Sequence, residues 1–276
     1  MSKIRYYLEG NRQDRINHAV SHTKEMEERF PNEIATAVKE TKKYNEHYIF
    51  TDFPEANKNI CVKLLAQDSV QAAFNEAEGK TCILNFASFT HPGGMFLTGS
   101  RAQEECLCHE SFLYNVLKEF DKSDKPSCAS YYENNRAKVN RGLYYNRAFY
   151  TPNIIFEKDS ISANFDVITC AAPNLGPTLR YGLNVSKEEN SKVLESRIKF
   201  ILDIAAENRV DTLILGAFGC GVFKQDASEV ANIFIKCISH SHRYFKKVIF
   251  AVPSNVHSEN FDKFYDVFVN MEGKSN

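Results

Sequence analysis

Two adjacent carboxylates, Glu104 and Glu105, follow a glycine-containing segment that runs from His91 to Ser100. An apolar, strand-like run at 82–87 precedes this segment, and a helix-like run follows it. Glycine adopts positive φ angles and lets the backbone approach a ligand closely. A helix N-terminus favours an anionic group, which either the ligand or the protein supplies. The pattern therefore predicts phosphate binding next to carboxylate chemistry.

Paired carboxylates are suited to the cleavage of a glycosidic bond, because the departing oxygen must be protonated. One carboxyl group, partly desolvated, acts as general acid and then as general base. The other orients the sugar through its hydroxyl groups, and nearby negative charge favours the oxocarbenium-like centre. The structural alternative is a turn that needs glycine, followed by acids that stabilise the start of a helix.

A second glycine loop, with Gly216, Gly219 and Gly221, lies in and after a strand-like run at 212–217. Its backbone N–H groups and the start of the next helix are able to cradle a diphosphate, and Phe223 is able to pack on a ribose or a base. The structural alternative for the three glycines is close packing of the strand against the helix. The structural alternative for Phe223 is packing in the core. The order G-x-x-G-x-G, and the lack of G-x-x-x-x-G-K-[ST], disfavour a Rossmann oxidoreductase and a P-loop nucleotidase.

Two weaker signals involve histidine and cysteine. His18 and His22 have an i, i+4 spacing that suits a metal ligand pair, but a solvated helix face is the favoured interpretation. Cys106, Cys108 and His109 suggest a thiol or zinc site. Because residues two apart on a helix point to different faces, packing and surface positions are favoured for them.

The chemistry requires a scaffold that brings two distant loops together. The pattern predicts strands at 60–65, 81–86, 166–171, 212–217 and 247–252. It predicts helices at 11–42 with a break at Pro31, and at 69–77, 102–120, 186–208, 226–240 and 261–271. A Tyr- and Asn-rich region at 121–156 is predicted to be irregular, and its tyrosines either stack on bases or, as we favour, pack locally.

Strands that alternate with helices indicate a three-layer α/β domain. Strands rich in Ile, Val and Leu suit a central sheet that is covered on both faces. In such sheets ligands bind beyond the carboxyl ends of strands, and both glycine loops lie at such ends. The two loops are therefore expected to converge on one crevice.

The bulk composition excludes several classes. The chain has 276 residues and a formal net charge of −1 without a long basic run, so binding to specific nucleic-acid sequences is not expected. Several of the eight cysteines lie in apolar runs, as Cys61, Cys82 and Cys170 do. This favours reduced thiols and a cytoplasmic location, with a nuclear one left open. No signal peptide or bilayer-spanning run is found, so no membrane partner is expected.

The segment at 93–105 follows a pattern known from one protein family: a glycine triplet, a short spacer and Gln-Glu-Glu. Here Gly-Gly-Met at 93–95, seven spacer residues and Gln-Glu-Glu at 103–105 match it, except at Met95. Segments at 85–88, 167–174 and 215–223 are also similar. The chain thus resembles the microbial-type poly(ADP-ribose) glycohydrolases of the macrodomain superfamily. The resemblance implies a macrodomain-like α/β/α fold with a central mixed, largely parallel sheet, in which 1–276 form one domain and 1–50 a helical extension.

The resemblance also implies roles for individual residues. Glu105 is expected to be the catalytic acid/base, Glu104 to hold ribose hydroxyl groups and Gln103 to fix the loop. Gly93 and Gly94 are expected to approach the diphosphate from one side. The other expected substrate-binding residues are Met95, Ser88, Asp68, Gly219, Cys220, Gly221, Val222 and Phe223. No metal and no cofactor are expected.

Three of these positions carry particular expectations. Asp68 follows an early strand, where macrodomains often contact adenine. Ser88 stands where some relatives carry a ribose-contacting Asn, so this contact is expected to be altered. Met95 replaces a glycine, and a side chain there resists conformations that glycine permits. Met95 is therefore expected to narrow the site, to shift substrate preference, or to abolish turnover while leaving binding.

Three functions follow as hypotheses. The leading one is a hydrolase that releases ADP-ribose by cleaving the O-glycosidic ribose–ribose bond of poly(ADP-ribose), or a related link in an ADP-ribosylated macromolecule. The second is a catalytically impaired macrodomain that reads ADP-ribose, which Met95 motivates. The third, and least favoured, is a thiol- or metal-dependent hydrolase that uses Cys106, Cys108 or His109.

Overall fold

The computed structural model describes residues 10–51, 54–57, 59–123, 129–254 and 259–272. In this part of the chain the core is a seven-stranded sheet. The strands are β1 (Lys42–Tyr44), β2 (Cys61–Leu65), β3 (Thr81–Phe86), β4 (Ala148–Lys158), β5 (Ile161–Cys170), β6 (Thr212–Leu215) and β7 (Lys247–Ala251). Their order is β1-β4-β5-β3-β6-β7-β2, and neighbours are parallel except for the two pairs that involve β4. The prediction of a mixed, largely parallel sheet is confirmed.

Helices cover both faces of this sheet. They are α1 (Arg12–Arg29), α2 (Pro31–Glu40), α3 (Ser69–Glu76), α4 (Gln103–His109), α5 (Leu113–Leu117), α6 (Tyr131–Arg136), α7 (Gly176–Tyr181), α8 (Lys187–Glu207), α9 (Ala227–His240) and α10 (Asn260–Glu272). Short 3₁₀ turns lie at Phe96–Thr98, Lys118–Asp121 and Asn140–Gly142. Within the described residues, no helix combines the length and apolarity that a membrane span requires.

The sheet is buried on both faces because side chains alternate along each strand. Leu213 and Leu215 belong to one buried apolar cluster, and Ile214 between them belongs to another. Helices α8, α9 and α10 contribute to the first cluster, whereas α1 to α6 contribute to the second. The predicted three-layer α/β/α architecture is confirmed.

Local capping explains why several helix boundaries agree with the sequence pattern. Asn11 Oδ1 accepts hydrogen bonds from the N–H groups of Gln13 and Asp14, which starts α1. Pro31 is the first residue of α2, so the expected break lies where proline ends one helix and begins the next. Ser186 Oγ accepts from the Glu189 N–H at 3.1 Å and begins α8.

The predicted helix at 102–120 is wrong in its length. Helix α4 ends at His109, and Ser111 forms an isolated β-bridge with Phe156 before α5 begins. Ser111 Oγ donates to the Leu107 carbonyl at 2.7 Å and accepts from the Leu113 N–H at 3.1 Å. One hydroxyl therefore satisfies the end of α4 and the start of α5, while the apolar periodicity continues across the break.

The region at 121–156 is not irregular throughout, because it contains α6 and most of β4. Strand β5 also begins at Ile161 rather than at 166, and it pairs antiparallel with β4. The register of this pair shifts between Thr151 and Ile154, where Pro152 and a positive φ of 56° at Asn153 interrupt the ladder. The bulge hides the alternation on which the prediction of a strand depends.

Both glycine loops leave the same edge of the sheet. Strands β3 and β6 are adjacent and parallel, so their carboxyl ends lie side by side. A Cβ atom on Gly216 would lie 3.0 Å from Phe86 Cζ, which places the chain after β6 against the end of β3. The scaffold therefore positions the two loops next to each other, although they are far apart in sequence.

Candidate active site

The first glycine loop turns sharply between β3 and α4. Gly93 and Gly94 have φ angles of +65° and +61°, in the left-handed region that glycine enters without strain. A Cβ atom on Gly94 would lie 2.6 Å from Glu105 Oε1 and 2.8 Å from Glu104 Oε2. A Cβ atom on Gly93 would lie 2.7 Å from Cδ2 of the Tyr114 ring. The loop can lie against the two carboxyl groups only because it lacks side chains at these positions.

Glu105 is buried in the first turn of α4. Its Oε1 accepts a hydrogen bond from the Met95 N–H at 2.8 Å. Its Oε2 is buried and has no hydrogen-bond partner among the described residues. Burial raises the pKa of Glu105, and the Met95 N–H opposes this rise. The carboxyl group is thus held in place and stays protonated to a higher pH than an exposed glutamic acid, as a general acid requires.

Glu104 is also buried and lies deeper against β3. Its Oε2 accepts from the Ser88 N–H at 2.7 Å, and its Oε1 accepts from Asn85 Nδ2 at 3.2 Å. Burial raises the pKa of Glu104 to about 8, with a further contribution from the charge of Glu105. One backbone N–H group and one buried amide therefore fix this carboxyl group beside its neighbour.

The raised pKa of Glu104 predicts how stability depends on pH. The folded protein binds a proton more tightly at Glu104 than the unfolded chain does, whose glutamate pKa is about 4.3. This contribution is complete below the unfolded value and is lost as pH rises through about 8. We expect the melting temperature to fall between pH 5.5 and pH 8.5, and Glu104→Gln to reduce that slope. An unchanged slope in thermal denaturation of the variant would contradict the assignment.

Gln103 connects the start of α4 to the strand before the loop. Its Nε2 donates to the Leu84 carbonyl at 2.8 Å and to Ser69 Oγ at 3.1 Å. Its Oε1 accepts from the Phe86 N–H at 2.8 Å. These three hydrogen bonds place α4 against β3 and α3. A role of Gln103 in fixing the loop stays a prediction.

The second glycine loop presents backbone donors at the same edge. Gly219 has a φ of +77°, and a Cβ atom there would lie 2.6 Å from Ala172 Cβ, so the loop packs closely on the segment after β5. The Cys220 N–H donates to the Ala217 carbonyl. The N–H groups of Gly221, Val222 and Phe223 have no acceptor among the described residues. Consecutive unpaired N–H groups form the kind of cradle that binds an anion.

Aromatic side chains join the two loops. Phe89 of the first loop stacks on Tyr144, with ring centroids 4.3 Å apart and an interplanar angle of 10°. Tyr144 contacts Phe223 of the second loop edge-on at 6.1 Å. Asn174 Nδ2 donates to the Tyr144 hydroxyl at 3.3 Å. Tyr144 of the Tyr-rich region thus packs between the two loops.

A cavity of about 580 Å³ lies beyond the carboxyl ends of β2, β3, β6 and β7. Asp68 and Gln103 line it, together with Phe86 from β3 and Ala217 from the second loop. Asp68 Oδ1 also accepts from the Gln71 N–H at 2.8 Å and caps α3. Of the residues expected to bind substrate, only Asp68 and Gln103 line this cavity, whereas the others lie on the two loops.

Met95 does not need a glycine conformation, which corrects the expectation of backbone strain at this position. Its φ is −107°, outside the left-handed region, and its side chain is 51% exposed. Ser88 Oγ accepts from the N–H groups of Thr90 and His91 at 3.3 and 3.2 Å, so it shapes the turn of the loop. A direct contact of Ser88 or Met95 with substrate stays a prediction.

The solvated face that was favoured for His18 and His22 is wrong. Both are partly buried between α1 and α4: His18 Nδ1 lies 2.8 Å from His109 Nδ1, and His22 Nε2 lies 2.9 Å from the Ser111 carbonyl oxygen. Burial raises the pKa of the Cys108 thiol well above its usual value, which disfavours a thiolate. Among the described residues, no group of three or more His, Cys, Asp or Glu side chains is arranged to hold a metal ion.

Sequence reasoning missed three side chains that support the site. Asn85 is fully buried and holds Glu104, Asn135 Nδ2 donates to the Phe89 carbonyl at 2.8 Å, and Arg136 donates to the Thr90 carbonyl at 2.9 Å. Two signals were available for Asn85: it is a polar residue inside the apolar run at 82–87, and it lies in the segment at 85–88 that is similar to the family. No signal was found for Asn135 and Arg136, because the region that forms α6 was predicted to be irregular.

Comparisons with known proteins agree with this geometry. The model of the microbial-type PARG catalytic domain matches residues 4–159. Poly(ADP-ribose) glycohydrolase (PARG) from Thermomonospora curvata has a TM-score of 0.80 at 25% identity, over 93% of this chain and 100% of that one. The same protein bound to the inhibitor ADP-HPD has a TM-score of 0.77 at 26% identity, over 92% of this chain and 99% of that one. PARG from Deinococcus radiodurans in complex with ADP-ribose has a TM-score of 0.73 at 27% identity, over 88% of this chain and 99% of that one. No curated protein matches the sequence.

Proposed function

Because the chain belongs to the family of microbial-type PARG catalytic domains, we propose that it cleaves the O-glycosidic ribose–ribose bond of poly(ADP-ribose) and releases ADP-ribose. The similar structures from Thermomonospora curvata and Deinococcus radiodurans, which hold ADP-HPD and ADP-ribose, support this substrate class. The proposal treats residues 1–276 as one macrodomain-like domain, with 1–50 as its helical extension.

One observation carries the assignment of the general acid. The Glu105 carboxyl group is held by the Met95 N–H through one oxygen, and its other oxygen is buried without a partner among the described residues. A buried polar atom without a hydrogen bond is costly, and a ligand that supplied the missing contact would remove this cost. Atoms of this kind also occur away from the loops, for example at Asn115 and Tyr132, so the orientation supports the assignment only together with the position of Glu105 beside the glycine loop. Burial also raises the pKa of Glu105.

The reaction then proceeds in two proton transfers. Glu105 donates its proton to the glycosidic oxygen while the bond between that oxygen and the anomeric carbon breaks. The ribose leaves as a neutral alcohol, and the carboxylate that remains stabilises the oxocarbenium-like carbon. The carboxylate next removes a proton from a water molecule, whose oxygen attacks the anomeric carbon, and glutamic acid is regenerated.

Glu104 is proposed to orient the same ribose through its hydroxyl groups. Its carboxyl group lies beside Gly94, where the loop allows a close approach because it has no side chain. Its hydrogen bonds to the Ser88 N–H and to Asn85 prevent it from turning away. A fixed acceptor next to the general acid supports a role in sugar orientation.

The remaining parts of ADP-ribose match chemical groups in the loops and the cavity. The N–H groups of Gly221, Val222 and Phe223 are suited to the diphosphate, with the backbone of Gly93 and Gly94 on the other side. The cavity beside Asp68 has the size and the partly apolar lining that an adenosine group requires. This placement puts the diphosphate between the cavity and Glu105.

The direct test is the incubation of the protein with poly(ADP-ribose), followed by chromatography of the released nucleotides. We expect free ADP-ribose to accumulate. Mono-ADP-ribosylated protein and nucleic acid, assayed in parallel, identify other cleavable links. Tight binding of ADP-ribose in calorimetry without release from any of these substrates would contradict the proposal and support the reader module.

The reader hypothesis rests on Met95, and Met95→Gly tests it. Since Met95 has an ordinary backbone conformation and an exposed side chain, we expect turnover of the variant to stay within about threefold of the parent value, as for most surface substitutions. The measurement is the initial rate of ADP-ribose release from polymer. An inactive parent together with an active Met95→Gly variant would show that this side chain blocks catalysis.

A further inference from the structure

Helix α1 contacts the first glycine loop through two arginines. Arg12 Nε donates to the Thr98 carbonyl at 2.9 Å, and Arg15 Nε donates to the Gly99 carbonyl at 2.7 Å. Gly99 has a φ of +77°, and a Cβ atom there would lie 2.6 Å from the Arg12 carbonyl oxygen. The first turn of α1 therefore sits directly on the C-terminal half of the loop.

The segment that the two arginines contact also orients Met95. The N–H of Thr98, the Thr98 hydroxyl and the N–H of Ser100 all donate to the Met95 carbonyl, at 3.1, 3.0 and 3.2 Å. The Met95 N–H in turn donates to Glu105 Oε1 at 2.8 Å. A continuous series of hydrogen bonds thus links the two arginines to the candidate general acid.

We propose that Arg12 and Arg15 are positioning residues for Glu105, which act through the 95–100 segment. This inference rests on the role of Glu105 in the proposed function. Neither arginine contacts the carboxyl group itself. Each holds a carbonyl at the end of the 3₁₀ turn, where backbone acceptors lack partners within the turn and a cation is favourable.

The position of these arginines in α1 supports a role outside the helix. Arg12 is the first residue of α1 and Arg15 lies in its first turn, where a positive charge opposes the helix macrodipole. The Asn11 cap nevertheless fixes the helix start, since Asp14 Oδ2 accepts from the Asn11 N–H at 2.9 Å. A rigid helix start with unfavourably placed cations is explained by the contacts that these cations make with the loop.

The same face of α1 also holds the far end of the catalytic helix. His18 lies three residues after Arg15 on α1, and its Nδ1 is 2.8 Å from His109 Nδ1 at the end of α4. Helix α1 therefore spans from the loop that contacts Glu105 to the C-terminus of the helix that carries it. A movement of α1 would displace both supports of the carboxyl group.

The test compares the double variant Arg12→Met and Arg15→Met with Arg29→Met. Arg29 lies in the same helix but pairs with Glu25 and Glu157, so it controls for loss of charge in α1. Hydrogen exchange of the amides at 95–100 measures how often this part of the loop opens, and the measurement does not depend on catalytic activity. We expect about tenfold faster exchange there in the double variant, and parental exchange in Arg29→Met.

Kinetics on poly(ADP-ribose) provide the second measurement. We expect kcat of the double variant to fall by about tenfold or more, because misplacement of a catalytic group is costly, with KM within about threefold. The Met95 N–H holds the pKa of Glu105 down, and Glu104 is the titratable side chain beside it. A loosened loop is therefore expected to move the basic limb of the kcat–pH profile to higher pH.

The outcomes separate this inference from the proposed function. Parental exchange at 95–100 and a parental kcat in the double variant would overturn the inference. A parent protein that releases no ADP-ribose defeats the proposed function, while the exchange measurement still decides whether the arginines hold the loop. If the double variant does not fold, the single variants Arg12→Met and Arg15→Met give the same readouts with smaller expected effects.

Discussion

Replacement of Glu105 by glutamine is expected to lower kcat on poly(ADP-ribose) by about 10²–10⁴-fold, the usual contribution of a general acid. Glutamine has nearly the same shape as glutamic acid but carries no proton that it can donate to the departing oxygen. The amide oxygen can still accept from the Met95 N–H, which holds the parent carboxyl group at 2.8 Å. The loop is therefore expected to keep its conformation.

The affinity for ADP-ribose distinguishes a lost acid from a damaged site. We expect the dissociation constant of Glu105→Gln, measured by calorimetry, to stay within about fivefold of the parent value, because the contacts proposed for the diphosphate and the adenosine lie elsewhere. A large loss of affinity together with the loss of turnover would instead indicate that the loop has collapsed.

Glu76→Gln is the matched control for this change. Glu76 pairs with Lys63 at 2.8 Å and contacts Lys247 at the start of β7, at the opposite edge of the sheet from the glycine loops. The control makes the same chemical substitution without touching the site, so turnover should equal that of the parent. Equal rates for Glu105→Gln and the parent on labelled polymer would remove Glu105 from the mechanism.

Local constraints made much of the fold predictable from sequence. Glycine at 93 and 94, the cap at Ser186 and the proline at 31 each restrict a few neighbouring residues, and the structure has a turn, a helix start and a helix break at these places. The juxtaposition of the two loops was also accessible, because parallel strands place their carboxyl ends at one edge.

Tertiary contacts explain what could not be predicted. The break between α4 and α5 depends on a bridge between Ser111 and Phe156, and strand β4 is recognisable only beside β5. Likewise, nothing in the pattern of α1 shows that His18 contacts His109 or that Arg15 reaches the Gly99 carbonyl. These two contacts of α1 join residues that are 84 and 91 positions apart along the chain, beyond the reach of periodicity.

Met95 shows the limit of reasoning from a motif alone. The family pattern has glycine at this position, which suggested a conformation that only glycine adopts. The φ of −107° is open to any residue, and the contact of this position with Glu105 is made by its backbone N–H. By contrast, Gly94 has both a positive φ and two carboxyl groups where a side chain would lie.

Gly94→Ala is therefore expected to reduce kcat by about 10²-fold or more, because a new Cβ atom displaces both carboxyl groups from their positions. This atom would lie 2.6 Å from Glu105 Oε1 and 2.8 Å from Glu104 Oε2, closer than van der Waals contact allows. The positive φ adds strain of about 1–2 kcal/mol, which thermal or denaturant unfolding measures separately from the kinetics.

Gly182→Ala separates the two effects, because Gly182 has a φ of +63° but open space where its Cβ atom would lie. Both variants should lose similar stability from backbone strain, of about 1–2 kcal/mol. Only Gly94→Ala should also lose turnover, since only its new methyl group meets the paired acids. If Gly182→Ala lost as much activity as Gly94→Ala, general destabilisation rather than displacement of Glu104 and Glu105 would explain the result. If Gly94→Ala kept parental turnover, the two carboxyl groups would not need the positions that the loop gives them.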